Sequence, residues 1–414
     1  MRGVLQPVLA GLVAALVGFA SSFAVVIAGL RAVGASPGEA ASGLLAVCLA
    51  TGVTAVWLGL RHRMPIAIAW STPGAALLVS TGALPGGFRI AVGAFLVAAA
   101  LVVVAGLFGP LARWIAAIPT PVASAMLAGV LLNLCLAPVR ALAQTPLLAG
   151  LVIVVWALLT RFARQWAVPG ALVVAAVGVA VTRSDTPLDA TGLRPTLDLT
   201  TPAWSLGALI GIALPLFLVT MAAQNVPGMA VLATYGYQPP LRAALVATGL
   251  GSAAAAPFGG HAINLAAISA ALAAGPDAHP DPNRRWIASV TAGLGLATLG
   301  LGAGLATTLV VLAPPVLIEA VAGLALLGAL GVALATALTS ADAMAGGREA
   351  AVVTFVVTGS GTTLAGIGSA FWGLIAGGAL LLLFRFRATP ASGEEPTATP
   401  ESSTAPVEPA APRS

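Results

Sequence analysis

A chain of 414 residues in which 59% are hydrophobic and only 7% charged is too poor in charge for a soluble globular protein, where about a quarter of residues are charged. All 18 basic residues are arginine, and they stand singly or in pairs between apolar runs. That placement marks membrane topology and excludes the contiguous basic patch of a nucleic-acid-binding surface, despite the formal net charge of +5.

The apolar runs have the length of membrane-crossing helices, about 17 to 25 residues, rather than the short alternating segments of a barrel, so the fold class is all-α and polytopic. The first run, 8–30, is too long for a signal peptide although "FASSFA" offers small residues for cleavage, and it is read as a membrane helix. Runs follow at 42–60, 66–81, 89–108, 119–137, 146–161 and 166–182, completing a first repeat over 1–182. A polar linker, 183–203, precedes a second repeat over 204–386 with runs at 204–232, 241–256, 260–274, 286–309, 315–338, 349–359 and 364–384. Residues 387–414, rich in Pro, Ser, Thr and Glu, are expected to form a disordered cytoplasmic tail.

Arginine placement fits fourteen spans with both termini cytoplasmic: thirteen fall inside (Arg2, Arg61, Arg63, Arg113, Arg161, Arg164, Arg242, Arg284, Arg285, Arg348, Arg385, Arg387 and Arg413) and five outside (Arg31, Arg89, Arg140, Arg183 and Arg194). "PVASAMLAGVLL" at 121–132 aligns without gaps to "PVLIEAVAGLAL" at 315–326, an offset of 194 residues. Because seven is odd, the second copy enters the membrane from the opposite face, which makes the repeats inverted.

Away from span ends two ionisable residues stand out, His261 and Glu319, and an intramembrane ionisable group is a functional candidate. His261 follows "PFGG" in the tenth span, where Phe258, Gly259 and Gly260 precede it and Asn264 follows; Trp70, Ser71, Thr72, Pro73 and Gly74 interrupt the third span in the same way. Proline removes a donor and glycine permits non-helical dihedrals, so each segment is expected to enter extended and turn helical near mid-membrane. Two half-helix N-termini facing a common cavity would hold an anion, better a carboxylate than an ammonium. In the eighth span Gln224 and Asn225, just ahead of Pro227, need partners that a substrate or His261 can supply.

The same residues have plainer readings. Pro and Gly are common in membrane helices, His261 can cap or link helices, Gln224 and Asn225 can join helices, and Glu319 is either a proton carrier or a helix-end charge. Cys48 and Cys135 read as small hydrophobes, and the close glycines around Gly300 and Gly304 as helix packing rather than a nucleotide loop. No nucleophile with a paired base and no metal-ligand cluster appears, so neither an enzyme nor a cofactor is expected.

The segments "MPIAIAWSTPGAALL", "VTMAAQNVPGMAVL" and "APFGGHAINLAAI" resemble the signature segments of the benzoate/proton symporter family, the BenE type, over about residues 5–386. The resemblance implies the fold shared with the uracil/proton symporter and the sulfate-type anion transporters. It also implies a core domain of spans 1–4 and 8–11 and a gate domain of spans 5–7 and 12–14, with substrate between the broken spans three and ten. The nucleobase branch carries an acid in span eight where this chain has Gln224 and Asn225, which argues against a neutral nucleobase. On this basis the chain is expected to import an aromatic carboxylate such as benzoate with a proton across a bacterial inner membrane. Its partners are then that carboxylate, the proton and the lipid bilayer, and a homodimer is one expected assembly. The amides after Ser71, Thr72 and Gly260 are expected to hold the carboxylate, Trp70 and Phe258 to flank the ring, and Gln224 and Asn225 to orient the substrate or the histidine. His261, which as a free side chain titrates near pH 6.5, would couple the proton. Rival readings are a nucleobase or inorganic-anion carrier of the same fold, an anion channel, or a non-transporting scaffold.

Overall fold

The structure, a computed structural model, describes residues 2–110, 118–182, 196–312, 314–342, 344–364 and 367–387. The expected tail, apart from its first residue, and linker residues 183–195 lie outside the described residues.

Where the sequence is uniformly apolar the chain is helical, because backbone polar groups removed from water must be satisfied within the segment. The helices are α1 (Arg2–Ala32), α2 (Pro37–His62), α3 (Thr72–Thr81), α4 (Phe88–Leu107), α5 (Thr120–Cys135), α6 (Ala137–Gln144), α7 (Pro146–Phe162) and α8 (Ala167–Thr182). After the linker come α9 (Leu206–Thr234), α10 (Leu241–Ala255), α11 (Ala267–Ala274), α12 (Trp286–Gly300), α13 (Ala303–Leu312), α14 (Pro315–Ala341), α15 (Gly347–Gly359) and α16 (Ser369–Arg387). Among the described residues, seven helical segments are long and apolar enough to cross a membrane, and α7, α8 and α16 supply shorter apolar ones. Side chains such as Leu147, Phe162 and Leu206, at 90%, 78% and 73% exposure, give the bundle the apolar exterior that a lipid environment accommodates.

The helices pack in two groups. In one, α2 lies against α12 and α10, α1 against α12 and α3, and α4 against α10; in the other, α5 lies against α14 and α15, α15 against α16, and α7 against α8. Contacts of α1 with α14 and of α3 with α5 join the groups. Cys48 and Cys135 are free and buried, and Gly300 lets α12 approach α2 so closely that a Cβ there would stand 2.5 Å from that of Cys48.

Three expected spans differ in detail. The run 286–309 is divided, because Leu301 and Gly302 donate to Thr298 and Leu299 in tight turns that end α12 before α13 begins. The run 119–137 continues into a second short helix, α6, that starts at Ala137 with Pro138 in its first turn, where proline's missing donor costs nothing. The helix α9 contains two π-turns, Leu209–Ala213 and Met221–Asn225, the second carrying both amide residues singled out from the sequence.

Two extended stretches interrupt the helices, β1 (Ile68–Trp70) and β2 (Ile263–Leu265), and they pair with each other antiparallel.

Candidate functional site

The two strands form a ribbon with Ile68 opposite Leu265, Ala69 opposite Asn264 and Trp70 opposite Ile263. It is lengthened at each end, where Ser71 N donates to Ala262 O at 2.9 Å and Ala266 N donates to Ala67 O at 2.9 Å. Each broken span thus supplies the backbone partners that the other lacks, which is how an extended stretch survives inside an apolar bundle.

The ribbon also corrects the expectation of one cavity shared by two helix starts. The α3 start lies beside Ala262 and the α11 start beside Ala67, four residue steps apart, or about 13 Å at the usual strand rise. A single carboxylate therefore meets one N-terminus, not both.

At the α3 end, Ser71 is the N-cap, its Oγ accepting from Gly74 N at 3.1 Å, while Ala75 N donates to Ser71 O at 2.8 Å. The amide after Thr72 belongs to Pro73 and has no N–H, so it cannot hold a ligand as expected. Its ring suits the first turn instead, its fixed φ being pre-organised for the helix. Thr72 N–H remains the donor of this turn with no partner among the described residues, and Thr72 itself is half-buried.

Around this start a polar cluster is enclosed by apolar side chains. His261, fully buried, approaches Ser71 O through Nε2 at 3.0 Å and packs edge-on to Phe95 at 6.4 Å between ring centroids. Since a carbonyl only accepts, Nε2 carries the proton and Nδ1 presents a lone pair, which has no partner among the described residues. Thr220 Oγ1, from α9, donates to Ser71 Oγ at 3.0 Å. The Asn264 amide, oriented to suit its neighbours, accepts from Ser71 N at 3.1 Å and donates to Leu265 O at 2.9 Å.

Behind the cluster the approach to β2 is braced. Gly259 adopts φ 87°, a left-handed conformation that glycine takes without strain, and Gly260 N donates to Ala255 O at 3.0 Å. Ser252 Oγ accepts from Ile263 N at 2.9 Å. Ser42 Oγ donates to Phe258 O at 2.9 Å and accepts from Asp198 N at 2.8 Å, while Thr200 N donates to Pro257 O at 2.7 Å. The described part of the linker is thereby docked on the half-helix approach.

Asn225 does not reach His261. Its Oδ1 accepts from Leu265 N at 2.9 Å and its Nδ2 meets Met221 Sδ at 3.3 Å, so it anchors β2 to α9. Gln224, half-buried, makes no side-chain hydrogen bond among the described residues. Trp70 is buried on the α1 side, where its indole N–H donates to Ser22 Oγ at 3.0 Å and its ring meets Phe19 edge-on at 6.0 Å. Phe19 in turn stacks on Phe23 at 5.2 Å. Phe258 is half-buried at the linker side, and Glu319 is half-buried in the second turn of α14 with no ion pair among the described residues.

Phe19, Ser22, Phe95 and Thr220 were not anticipated. The i,i+4 aromatic spacing of Phe19 and Phe23 was the available signal; Phe95 and Thr220 carry none, since each is one apolar or hydroxyl residue in a helix full of them.

The model of the benzoate membrane transport protein family matches residues 4–383. The chain is 41% identical to the inner membrane protein YdcO of Escherichia coli (strain K12) over 89% of its own length and 93% of the relative. It is 32% identical to the benzoate membrane transport protein of Acinetobacter baylyi over 90% of its own length and 93% of the relative. Among solved structures it superposes on the transmembrane domain of the cyanobacterial bicarbonate transporter BicA with a TM-score of 0.55 at 17% identity, covering 91% of this chain and 97% of that one. Murine Slc26a9, an anion transporter, gives a TM-score of 0.64 at 14% identity, with 93% and 69% covered.

Proposed function

The chain belongs to the benzoate membrane transport protein family, a family of membrane transporters and not of enzymes, and from this premise we propose that it imports an aromatic carboxylate of the benzoate type together with a proton. The observation that carries the reading is the start of α3: an unused Thr72 N–H at a helix N-terminus, ringed by Ser71, Thr220 and Asn264, with no arginine among the site residues. A helix start binds an anion through oriented N–H groups and the partial positive charge of its dipole, without a fixed cation.

The carboxylate binds at Thr72, and the ring lies toward the α1 side, where Phe19 stands beside Trp70. Gln224, without a hydrogen-bond partner among the described residues, turns to the substrate. His261 takes the proton on Nδ1, which adds positive charge beside the carboxylate when both are bound. Neutralising one ligand with the other lowers the cost of moving the pair across an apolar bundle.

In this reading the chain crosses a bacterial inner membrane fourteen times as two inverted seven-span repeats, with both termini cytoplasmic. The packing of α1–α4 with α10 and α12, and of α5 with α14 and α15, supports a core group that moves against a gate group. Glu319, on α14, belongs to the gate side and serves as a second proton acceptor only if His261 proves dispensable.

Reconstituted protein tests this directly. Labelled benzoate uptake is expected to rise with an inward proton gradient and to collapse with an uncoupler, with benzoate outcompeting uracil, sulfate and bicarbonate. His261→Gln is expected to keep exchange of benzoate but lose gradient-driven accumulation. Full accumulation by that variant would remove His261 from the proton path, and stronger competition by bicarbonate or sulfate would turn the reading to an inorganic anion.

A further inference from the structure

The loop that follows α11 contains adjacent arginines with opposite fates. Arg284 is half-exposed and pairs loosely with Asp281 at 3.6 Å, whereas Arg285 is 7% exposed and, among the described residues, has no carboxylate at ion-pair distance. Its guanidinium is spent on backbone carbonyls: Nη1 donates to Ala274 O at 2.8 Å, Nε to His279 O at 2.7 Å and Nη2 to Pro280 O at 3.3 Å. A buried charge without a counter-ion is costly, and a planar fork with several fixed donors is the side chain suited to hold carbonyls in set positions.

Ala274 is the last residue of α11. An eight-residue helix is marginal by itself, and the cluster it buries into is mostly alanine, Ala270 and Ala273 of its own against Ala67, Ala278 and Ala288, with Leu232 the one larger buried side chain. Methyl groups give contact area but little that locks a helix against sliding along its axis. A cation on its terminal carbonyl does, and is favoured there by the helix dipole. The loop is held in turn by Tyr237, just past α9, whose hydroxyl donates to Pro282 O at 2.8 Å.

We propose that Arg285 is a positioning residue for the substrate: it fixes α11 at its C-terminal carbonyl, and through β2 and the ribbon it sets where the α3 start presents Thr72. The proposal rests on the reading of that start as the carboxylate site. Arg285 touches no ligand itself; it keeps the far end of the second half-helix from drifting, and with it the register of the pair.

The test compares Arg285→Gln, Arg285→Lys and the exposed control Arg284→Gln, each purified and reconstituted, by benzoate KM and Vmax and by hydrogen exchange of backbone amides. Arg285→Gln is expected to raise KM about tenfold with a smaller change in Vmax, and to speed exchange over 267–280 while α14 and α15 stay as in the parent protein. Arg285→Lys, which keeps the charge but not the fork, is expected to raise KM about threefold, and Arg284→Gln to change neither readout. A KM within about twofold of the parent for both Arg285 variants, or exchange accelerated evenly across the bundle, would overturn the proposal; if Arg285→Gln does not fold, the Arg285→Lys pair of readouts decides alone. Should the parent protein carry no benzoate while Arg285→Gln still loosens 267–280, the anchor stands and the substrate assignment falls.

Discussion

The two broken spans solve one physical problem by different means. In β1–α3 the helix is fixed at its beginning: Ser71 caps it, Pro73 fits its first turn, and Thr220 holds the capping hydroxyl. In β2–α11 the N-cap position is Ala266, with no side-chain cap, and the helix is fixed from behind by Asn225 on the strand and by Arg285 on the last carbonyl. The first helix is anchored locally and leaves one amide unused; the second is anchored remotely, by residues 40 positions before and 11 positions after its contacts. On the reading proposed above, the first segment binds and the second holds it in place.

The largest effect expected from breaking this contrast is that of Asn225→Ala. It orphans Leu265 N–H inside the bundle, which costs about 1–3 kcal/mol, and transport is expected to fall below a tenth of the parent rate in proteoliposomes, with a lower melting temperature in detergent. Ser71→Ala is expected to be milder for stability, about 1 kcal/mol for a lost cap, but sharper for binding. It adds Gly74 N–H to the free donors while removing the hydroxyl, so a change in benzoate KM larger than the change in melting temperature would bear out the division of labour, and equal changes would erase it.

The smallest effect is expected far from both spans, at the exposed pair Arg348–Asp342, 2.5 Å apart. The hydrogen bond from Arg348 holds the Asp342 carboxyl below the ordinary aspartate range. A lowered folded-state value means that the pair's contribution is present at neutral pH and lost as the carboxyl protonates on acidification. Being solvent-exposed, it is screened, so Asp342→Asn is expected to leave transport unchanged and the neutral-pH melting temperature nearly so, with any small difference from the parent vanishing as acidification protonates the Asp342 carboxyl.

Much of the helix layout was legible because an apolar run must be helical wherever water is absent, and the breaks at Pro73 and at Gly259–Gly260 announce themselves by residue type. That the two extended stretches pair with each other was not legible, since three residues such as "IAW" or "INL" carry no pairing code. Arg285 was read only as a topology marker, because its sequence neighbour Arg284 has the same chemistry and only burial tells them apart. Asn225 was recognised as needing a partner, with the substrate, His261 and a neighbouring segment all open; which of them it meets depends on the π-turn it closes, since in a helix of ordinary pitch its direction would differ.

Those wide turns in α9 have a further consequence. Each works as an insertion already absorbed by the helix, holding one residue more than a regular turn requires. Removing a single residue between Leu209 and Ala213 would restore regular pitch and leave the turns on either side in phase, so that Thr220 and Asn225, downstream, keep their grip on Ser71 and Leu265. The chain thus has a place where its length can change without disturbing what the helix holds.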